Sequence, residues 1–546
     1  MASLGHRFAP LAVLLLALVS FAIGLAELPV QDRDEARFAQ ASRQMAATGD
    51  LIDIRLQDAA RHNKPALIYW AQAAAIAITG VTGETPIWVH RLPSYLAGVL
   101  SACALIWAGT PIVGRRAAVL AGIMCASVYM LHAEARTAKT DAALLLSVIL
   151  AMGALSRLYL EAARSWVLPA IFWTALAAGF LLKGPMVALP VAGLIVWMGA
   201  RDRSLGWLVR LRPLPGLLWF AALVSPWFIA ITLVTDGAFW GASVGTDLGD
   251  KITAGGEHGG SPPGFYLLTI WLTFWPWSVL LPLAGLQAWR SRKTRETALL
   301  LGWLVPAWLV FEAVPVKLIH YTLPLYPPLM FLAAASLLGV AEGRFRFGGW
   351  RGGLAAAGLL AGLAFFATVM VMAPLRFGVG LHPASLVGAG VMAAAALSAL
   401  AWLWRGKVPH AVAALAVAGG VMGTTLTAAT LPAARGLWVS ARLTDAMAQL
   451  TCLNGPVALA GFAEPSAVFL LGTETVLTDR DGALAFLAQD AGRAAWIAPE
   501  LLETAPPAGL AGLTQIDAIN IGNFRPVTLR LFVSPGVPAP DQPCPD

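Results

Sequence analysis

The sequence predicts an α-helical polytopic membrane protein followed by a small α/β domain, on three observations. Thirteen apolar runs of about spanning length fill residues 9–430. Of 546 residues, 58% are hydrophobic and only 12% charged, against roughly 25% charged in a soluble globular domain. From about residue 433 the long runs stop, and shorter apolar segments alternate with helical turns. Twenty-one Trp against seven Tyr suit many ring positions at a membrane–water interface. The net charge of +7 comes from basic residues in short loops between apolar runs. That is a topology signal rather than a polyanion-binding face, so no nucleic-acid partner is expected.

The runs lie at about 9–29, 86–108, 113–131, 138–160, 166–182, 184–200, 213–235, 264–285, 297–313, 320–340, 353–373, 384–404 and 409–430. A helix needs ~20 residues to cross the hydrocarbon core. Runs 113–131 and 297–313 are near the lower limit, and 166–182 is parted from 184–200 only by Lys183-Gly184. With the N-terminus cytoplasmic, seventeen Lys and Arg fall in inside loops and six in short outside loops, so the positive-inside rule supports this orientation. Segments 30–85, 131–138, 236–263, 314–320 and the C-terminal tail are then periplasmic. Met1–Ala26, with a basic start and an apolar core, also fits a signal peptide. Its length and the charged, helix-like segment behind it favour a retained first helix.

The predicted organisation is a membrane domain over 1–432 and a C-terminal α/β domain over 433–546. In the tail, PVALAGF, AVFLL, TVLTD, ALAFLAQDAG, AAWIAP and VTLRLFV read as strands alternating with helical turns. Cys452 and Cys544 would be able to pair in an oxidising compartment. Cys103 and Cys125 fall in apolar runs and read as packing residues.

Charge concentrates in residues 31–70 of the first loop (30–85), which also carries interfacial helices. Asp34 opens a helical pattern, so it serves either as an N-cap, with Asp32 the alternative cap, or as a functional carboxylate. RHNKPALIYW sets Lys64 before an amphipathic stretch, at the membrane surface, where a Lys either snorkels or meets a phosphate. HAEARTAKTDAALL gathers Glu134, Arg136, Lys139 and Asp141 at a helix start, some of them caps or mutual partners. Lys183-Gly184-Pro185 places a cation at a short break that suits a lipid phosphate or anionic head group. Loop 236–263 is Gly-rich around Glu257 and His258 and reads as a lid. VKLIHYTLPLYPP brings Lys317, His320, Tyr321 and Tyr326 to another outer helix end, as ligands or as belt aromatics. Five distant segments thus put carboxylates, lysines and histidines on one membrane face, as an anionic lipid-linked substrate requires.

RDEARFAQASRQM, NKP with IYW, ARTAKTDAALL, LLKGP, SPWFIAI, PPGFYLL with FWPWS, and KLIHYTLPLYPPL occur in that order. Together they resemble the polyprenyl-phosphate-dependent glycosyltransferases of the GT-C class, in particular the branch of aminoarabinose (lipid A) transferase and its protein O-mannosyltransferase relatives. The resemblance covers roughly residues 30–335; the later helices and tail agree only in general plan, about thirteen helices and a periplasmic domain. It implies an inverting sugar transfer at the outer surface of a bacterial inner membrane. The donor would be a sugar on undecaprenyl or a similar polyprenyl phosphate, the acceptor lipid A or lipopolysaccharide, a glycan or a protein, with membrane lipids around both. It puts the family's acidic residue at Asp34, as base or acceptor-orienting group, with Asp141 as a second catalytic position. Lys64 takes the place of the family's Lys-Pro motif on the donor phosphate, joined by Arg55, Lys183, Lys317 and His320. Glu35, Tyr69, Tyr321, Tyr326, Glu257 and His258 would line the substrates.

One departure bears on cofactors. Close aminoarabinose transferases carry Glu-Lys-Pro where this chain has Asn63-Lys64-Pro65, and that Glu lies at a metal-associated site. No cofactor is therefore carried over; a divalent metal stays open, with His62, or Glu257 and His258, as alternative ligands. The change also argues against assuming aminoarabinose and lipid A. The competing readings are a polyprenyl-lipid flippase and a lipid-linked glycan ligase. A flippase predicts charges deep in the spans and paired broken helices, and neither pattern is evident.

Overall fold

The computed structural model describes residues 2–81, 84–161, 165–250, 260–450, 453, 455–502, 511–534 and 537. Helix α1 (Ala2–Ala22) is followed by a first loop carrying α2 (Asp34–Thr48), a two-residue hairpin of β1 (Arg55–Leu56) and β2 (Ala59–Ala60), and α3 (Leu67–Thr79). The bundle continues with α4 (Ile87–Cys125), a short α5 (Tyr129–Glu134), α6 (Asp141–Leu160), α7 (Val167–Lys183), α8 (Ala188–Asp202) and α9 (Pro213–Val234). Further helices span Arg295–Ala313, Tyr326–Ala341, Gly349–Phe377, Pro383–Trp404 and Val408–Thr425.

By length and apolarity, nine described helices are able to cross a membrane, or ten if the pair Phe265–Thr273 and Trp277–Ser291, bent by 117°, is one span. A count by length does not confirm thirteen crossings, because two of these stretches each hold two of the predicted runs. Within Ile87–Cys125 the chain folds back at Gly114 (φ 79°), so that a Cβ on Gly122 would stand 3.0 Å from the Ala102 carbonyl oxygen, and Val167–Asp202 is broken by a 3₁₀ turn over Gly184–Val187. The first run lies in α1, a helix of 21 residues. It belongs to the core, since Val13, Ala17 and Phe21 are buried. Small residues let the helices close: a Cβ added at Gly153 of α6 would stand 2.7 Å from the Ala108 methyl of α4.

Beyond Val439–Met447, strands β3 (Val457–Ala460), β4 (Val476–Thr478), β5 (Ala494–Ile497), β6 (Ala511–Asn520) and β7 (Arg525–Val533) form one sheet in the order β4-β3-β5-β7-β6. The first three are parallel, with Pro465–Leu471 and Arg480–Gln489 as crossovers; β6 and β7 add an antiparallel hairpin. Strands β3 and β5 are buried along their whole length, as apolar strands covered on both faces must be. Cys452 and Cys544 lie outside the described residues.

Apolar clusters and one buried ion pair tie the first loop to the bundle. Glu35, expected at the substrate, is 1% exposed and accepts from Arg91 Nε and Nη2 at 2.8 and 2.9 Å. It also accepts from the backbone N–H of Gln31 and of Ala138, each at 2.9 Å. Arg91 gives its other N–H groups to the carbonyls of Leu25, Leu28 and Pro29. With both oxygens engaged, Glu35 is a structural residue. Arg91→Met is expected to destabilise the protein by ~3–5 kcal/mol, because it strands a buried carboxylate; the thermal midpoint in detergent reads this directly.

Candidate functional site

Asp34 begins α2 but does not cap it. The cap position is Arg33, at φ 63° and ψ −108°, with no side-chain cap bond. The Asp34 carboxylate instead stands 3.8 Å from Arg37 Nη1, and Asp32, the other expected cap, accepts a hydrogen bond from Ser466. The turn from α5 to α6 passes close to α2, because the Ala138 N–H is held by Glu35. That turn carries Glu134, Lys139 and Asp141. Lys183 ends α7 at a break where Gly184 takes φ 60°, a left-handed conformation that suits glycine. His320 and Tyr321 lie in the turn before Tyr326–Ala341.

These segments converge. Lys139 Nζ donates to Glu134 Oε1 at 3.1 Å and Lys183 Nζ to Asp141 Oδ1 at 2.6 Å. His320 sits between the two carboxylates, Nδ1 3.9 Å from Glu134 and Nε2 3.9 Å from Asp141. The Lys183 ammonium lies 5.0 Å over the ring of Tyr321. Asp34 faces the same group. Burial alone would raise its carboxyl, but Lys139, Arg61, Arg37 and His320 outweigh that and hold it below the usual range. Burial raises Glu134 despite Lys139. Lys139 is held above its usual range: burial opposes its charge, while Glu134, Asp141 and Asp34 more than compensate. Burial pushes His320 down to about 3, with Lys139 and Lys183 adding to it against the opposing pull of Asp141. His320 is thus a neutral imidazole at pH 7, not the phosphate-binding cation expected of it.

Other expected residues take different places. Tyr69 is fully buried, and its hydroxyl accepts from Arg61 Nε at 3.1 Å. Tyr326 is fully buried, 5.3 Å from the Phe274 ring, and belongs to the core rather than to a substrate surface. Lys317 is 7% exposed and donates to the Ser261 carbonyl at 2.8 Å, so its ammonium ties two loops together rather than meeting a phosphate. Arg55 is held by Asp53 at 2.8 Å, within the β1–β2 knot. Lys64 is half-buried three residues after Arg61, and its ammonium donates to the Asn63 carbonyl at 3.2 Å. Glu257 and His258 lie outside the described residues.

Three participants had been given no role in the sequence. Glu134 and Lys139 stood in a motif read as capping or paired charges, and Arg61 in the stretch read for Lys64. Arg91 carried only the weak signal of a charge inside an apolar run.

The described residues do not suit a divalent ion. Glu134 and Asp141 each have an ammonium partner, and Asp53 is shared by Arg55 and His62 at 2.8 Å each. Among the described residues no three of His, Cys, Asp and Glu converge as a metal site.

The architecture is of the GT-C type, a multi-pass helical membrane fold with a small C-terminal sheet domain. It superposes on ArnT from Cupriavidus metallidurans with a TM-score of 0.74 at 20% identity, over 97% of this chain and 98% of that one. The form of that protein bound to undecaprenyl phosphate gives 0.72 at 20% identity, over 95% and 97%. The Archaeoglobus fulgidus oligosaccharyltransferase gives 0.51 at 11% identity, over 93% of this chain and 70% of the other.

In sequence, residues 63–229 match the family described as dolichyl-phosphate-mannose-protein mannosyltransferase. The undecaprenyl phosphate-alpha-4-amino-4-deoxy-L-arabinose arabinosyl transferase of Aeromonas salmonicida (strain A449) is 30% identical over 365 residues, 65% of either chain. The corresponding protein of Aeromonas hydrophila subsp. hydrophila is 29% identical over 352 residues, 63% of either chain. The alignment thus spans just under two thirds of these relatives.

Lys139 faces three carboxylates at once, Glu134, Asp141 and Asp34, which sets a pH signature. In Lys139→Met, Glu134 rises further and Asp34 rises too, so the folded state binds more protons than the unfolded one. Stability is then greatest at low pH and is lost as pH rises through the folded pKa values. The thermal midpoint of Lys139→Met is expected to fall more steeply than that of the wild type between about pH 5 and 8.

Proposed function

We propose that this protein is an inverting glycosyltransferase that moves a sugar from a polyprenyl phosphate of the undecaprenyl type to a lipid, glycan or protein acceptor. The observation that carries the proposal is the cluster in which Asp34 faces Lys139, Arg61 and His320 beside the Asp141–Lys183 pair. Asp34 is the base. The nearby cations keep it ionised at neutral pH, so it is able to take the acceptor's proton as the new glycosidic bond forms. The old bond breaks at the anomeric carbon, and its electron pair leaves on the lipid phosphate.

Charge on that phosphate grows towards the transition state, so cations aimed at it stabilise the transition state more than the ground state. Lys64, Lys183 and Arg61 are assigned this work. Lys183 is anchored by Asp141 and by Tyr321, which fix its direction; Arg61 is anchored by Tyr69. His320, being neutral, donates or accepts a hydrogen bond without competing for the phosphate. The similarity to undecaprenyl-phosphate-dependent aminoarabinose transferases supports the donor class, whereas Asn63 in place of Glu argues that the sugar or acceptor differs. We place the cluster and the C-terminal domain (433–546) on the periplasmic side of a bacterial inner membrane and the N-terminus in the cytoplasm, on the distribution of Lys and Arg.

Purified protein in liposomes, given a panel of polyprenyl-phosphate sugars and a membrane lipid extract, tests this reading. Asp34→Asn should lower kcat by ~10²–10⁴-fold. Lys64→Ala should raise the donor KM by about 10- to 100-fold, the loss of one charge-assisted contact of ~1.5–3 kcal/mol. Full transfer by Asp34→Asn overturns the base assignment. Absence of transfer from every donor overturns the enzyme.

A further inference from the structure

The residues just before Asp34 are held from outside the membrane bundle. Arg33, a non-glycine residue, has φ 63° and ψ −108°, a region L-residues seldom adopt. Such a conformation costs ~1–3 kcal/mol and persists only where its surroundings over-determine it. Those surroundings come from the C-terminal unit. Glu464 Oε1 lies 4.0 Å from Arg33 Nε and is itself fixed by Asn520 Nδ2 at 2.8 Å. The β6–β7 turn presses on the same side chain, for a Cβ on Gly522 would stand 2.8 Å from Arg33 Nε. Asp32 accepts a hydrogen bond from the fully buried Ser466, whose hydroxyl also bonds Ser440 Oγ at 2.6 Å.

Further along α2 the same short helix takes hold again. Arg43 Nη1 donates to the Phe469 carbonyl at 2.7 Å, with its guanidinium 3.8 Å over the Phe469 ring. Gln40 Nε2 donates to Thr473 Oγ1 at 2.7 Å. Phe469 completes an apolar cluster with Val30, Ala36, Ala39, Ile87 and Ala138. Thus α2 is gripped on both sides of Asp34, and Ala138 links that grip to the turn that carries Lys139.

We infer that the C-terminal unit sets the position of Asp34: Ser466 and Glu464 are positioning residues that hold Asp32 and Arg33 in the backbone conformation that aims the Asp34 carboxylate into the cluster. This rests on the glycosyltransferase reading for its catalytic consequence. A cover that merely shielded the site would not need partly buried polar contacts at the strained residue beside the base. A reacting group displaced by about 1 Å loses on the order of 10²-fold in rate, so a lever one residue away is sufficient.

The test uses full-length protein with Ser466→Ala, Glu464→Gln and the conservative Ser466→Thr. In Ser466→Ala and Glu464→Gln, kcat should fall by about 10- to 100-fold with the donor KM unchanged, and Ser466→Thr should recover most of the rate. Hydrogen exchange of the backbone amides of residues 31–37 should speed up in the same two variants and not in Ser466→Thr. Wild-type kcat together with wild-type exchange in both variants overturns the inference, as does a lowered thermal midpoint with kcat intact. If Ser466→Ala fails to fold, Glu464→Gln decides alone by the same two readings. If the wild type transfers no sugar, the functional reading fails, while exchange still decides whether this contact orders the start of α2.

Discussion

The Glu35–Arg91 pair fixes the register of this architecture, because apolar packing is non-directional and a bidentate ion pair is not. The first loop docks on the bundle through apolar clusters, with Phe38, Met45, Ile68 and Ala73 against Leu181, Val224, Trp227 and Ile231. A bidentate ion pair with no exposed side-chain surface adds a directional attachment, and each remaining donor and acceptor is met by backbone around it. Three consequences follow from this one contact. The carbonyls after α1 are held against α4, α2 is set at a fixed height above the bundle, and the turn before α6 is drawn under α2. Asp34 is the next residue along from Glu35 and owes its place to that anchorage.

Around Asp34 the cluster behaves as an electrostatic unit. Lys139 keeps its charge against burial through Glu134, Asp141 and Asp34, Lys183 is paired with Asp141, and the half-exposed Asp34 is held low by Lys139, Arg61 and Arg37. For His320, burial together with Lys139 and Lys183 outweighs Asp141 and Asp34, and the ring stays neutral. The arrangement is nearly balanced in charge before any ligand arrives, which favours redistribution of charge during a reaction over the simple holding of an ion. It also explains why these carboxylates are poor metal ligands, since their oxygens already face ammonium groups.

Much of the fold was legible in the sequence. Apolar runs of about twenty residues have one stable outcome in a bilayer, and the tail's short alternating segments form the strands and crossovers they suggest. Run length alone left the count of crossings open, because the fold-back at Gly114 and the break at Gly184 depend on φ values that neighbouring helices select. Of the candidate site, Asp34, Asp141, Lys183, His320 and Tyr321 stood out in the sequence because charged or ring residues at helix ends have few structural uses, and the structure brings Asp141, Lys183, His320 and Tyr321 together. Glu35, Tyr69, Tyr326 and Lys317 stood out for the same reason, yet the structure spends them on an ion pair, a hydroxyl contact, core packing and a loop tie.

What the sequence determined by itself was the class of protein, a multi-pass membrane chain with a small C-terminal sheet, since hydrophobicity is a property of composition and order along the chain. Which charges meet was decided only by tertiary structure. Glu35 and Arg91 are 56 residues apart, Lys183 and Asp141 42 apart, and Ser466 reaches Asp32 across 434. A polar side chain's role depends on the partner that burial presents to it. In a chain whose helices are held by apolar packing, that partner comes from whichever distant segment the packing brings alongside.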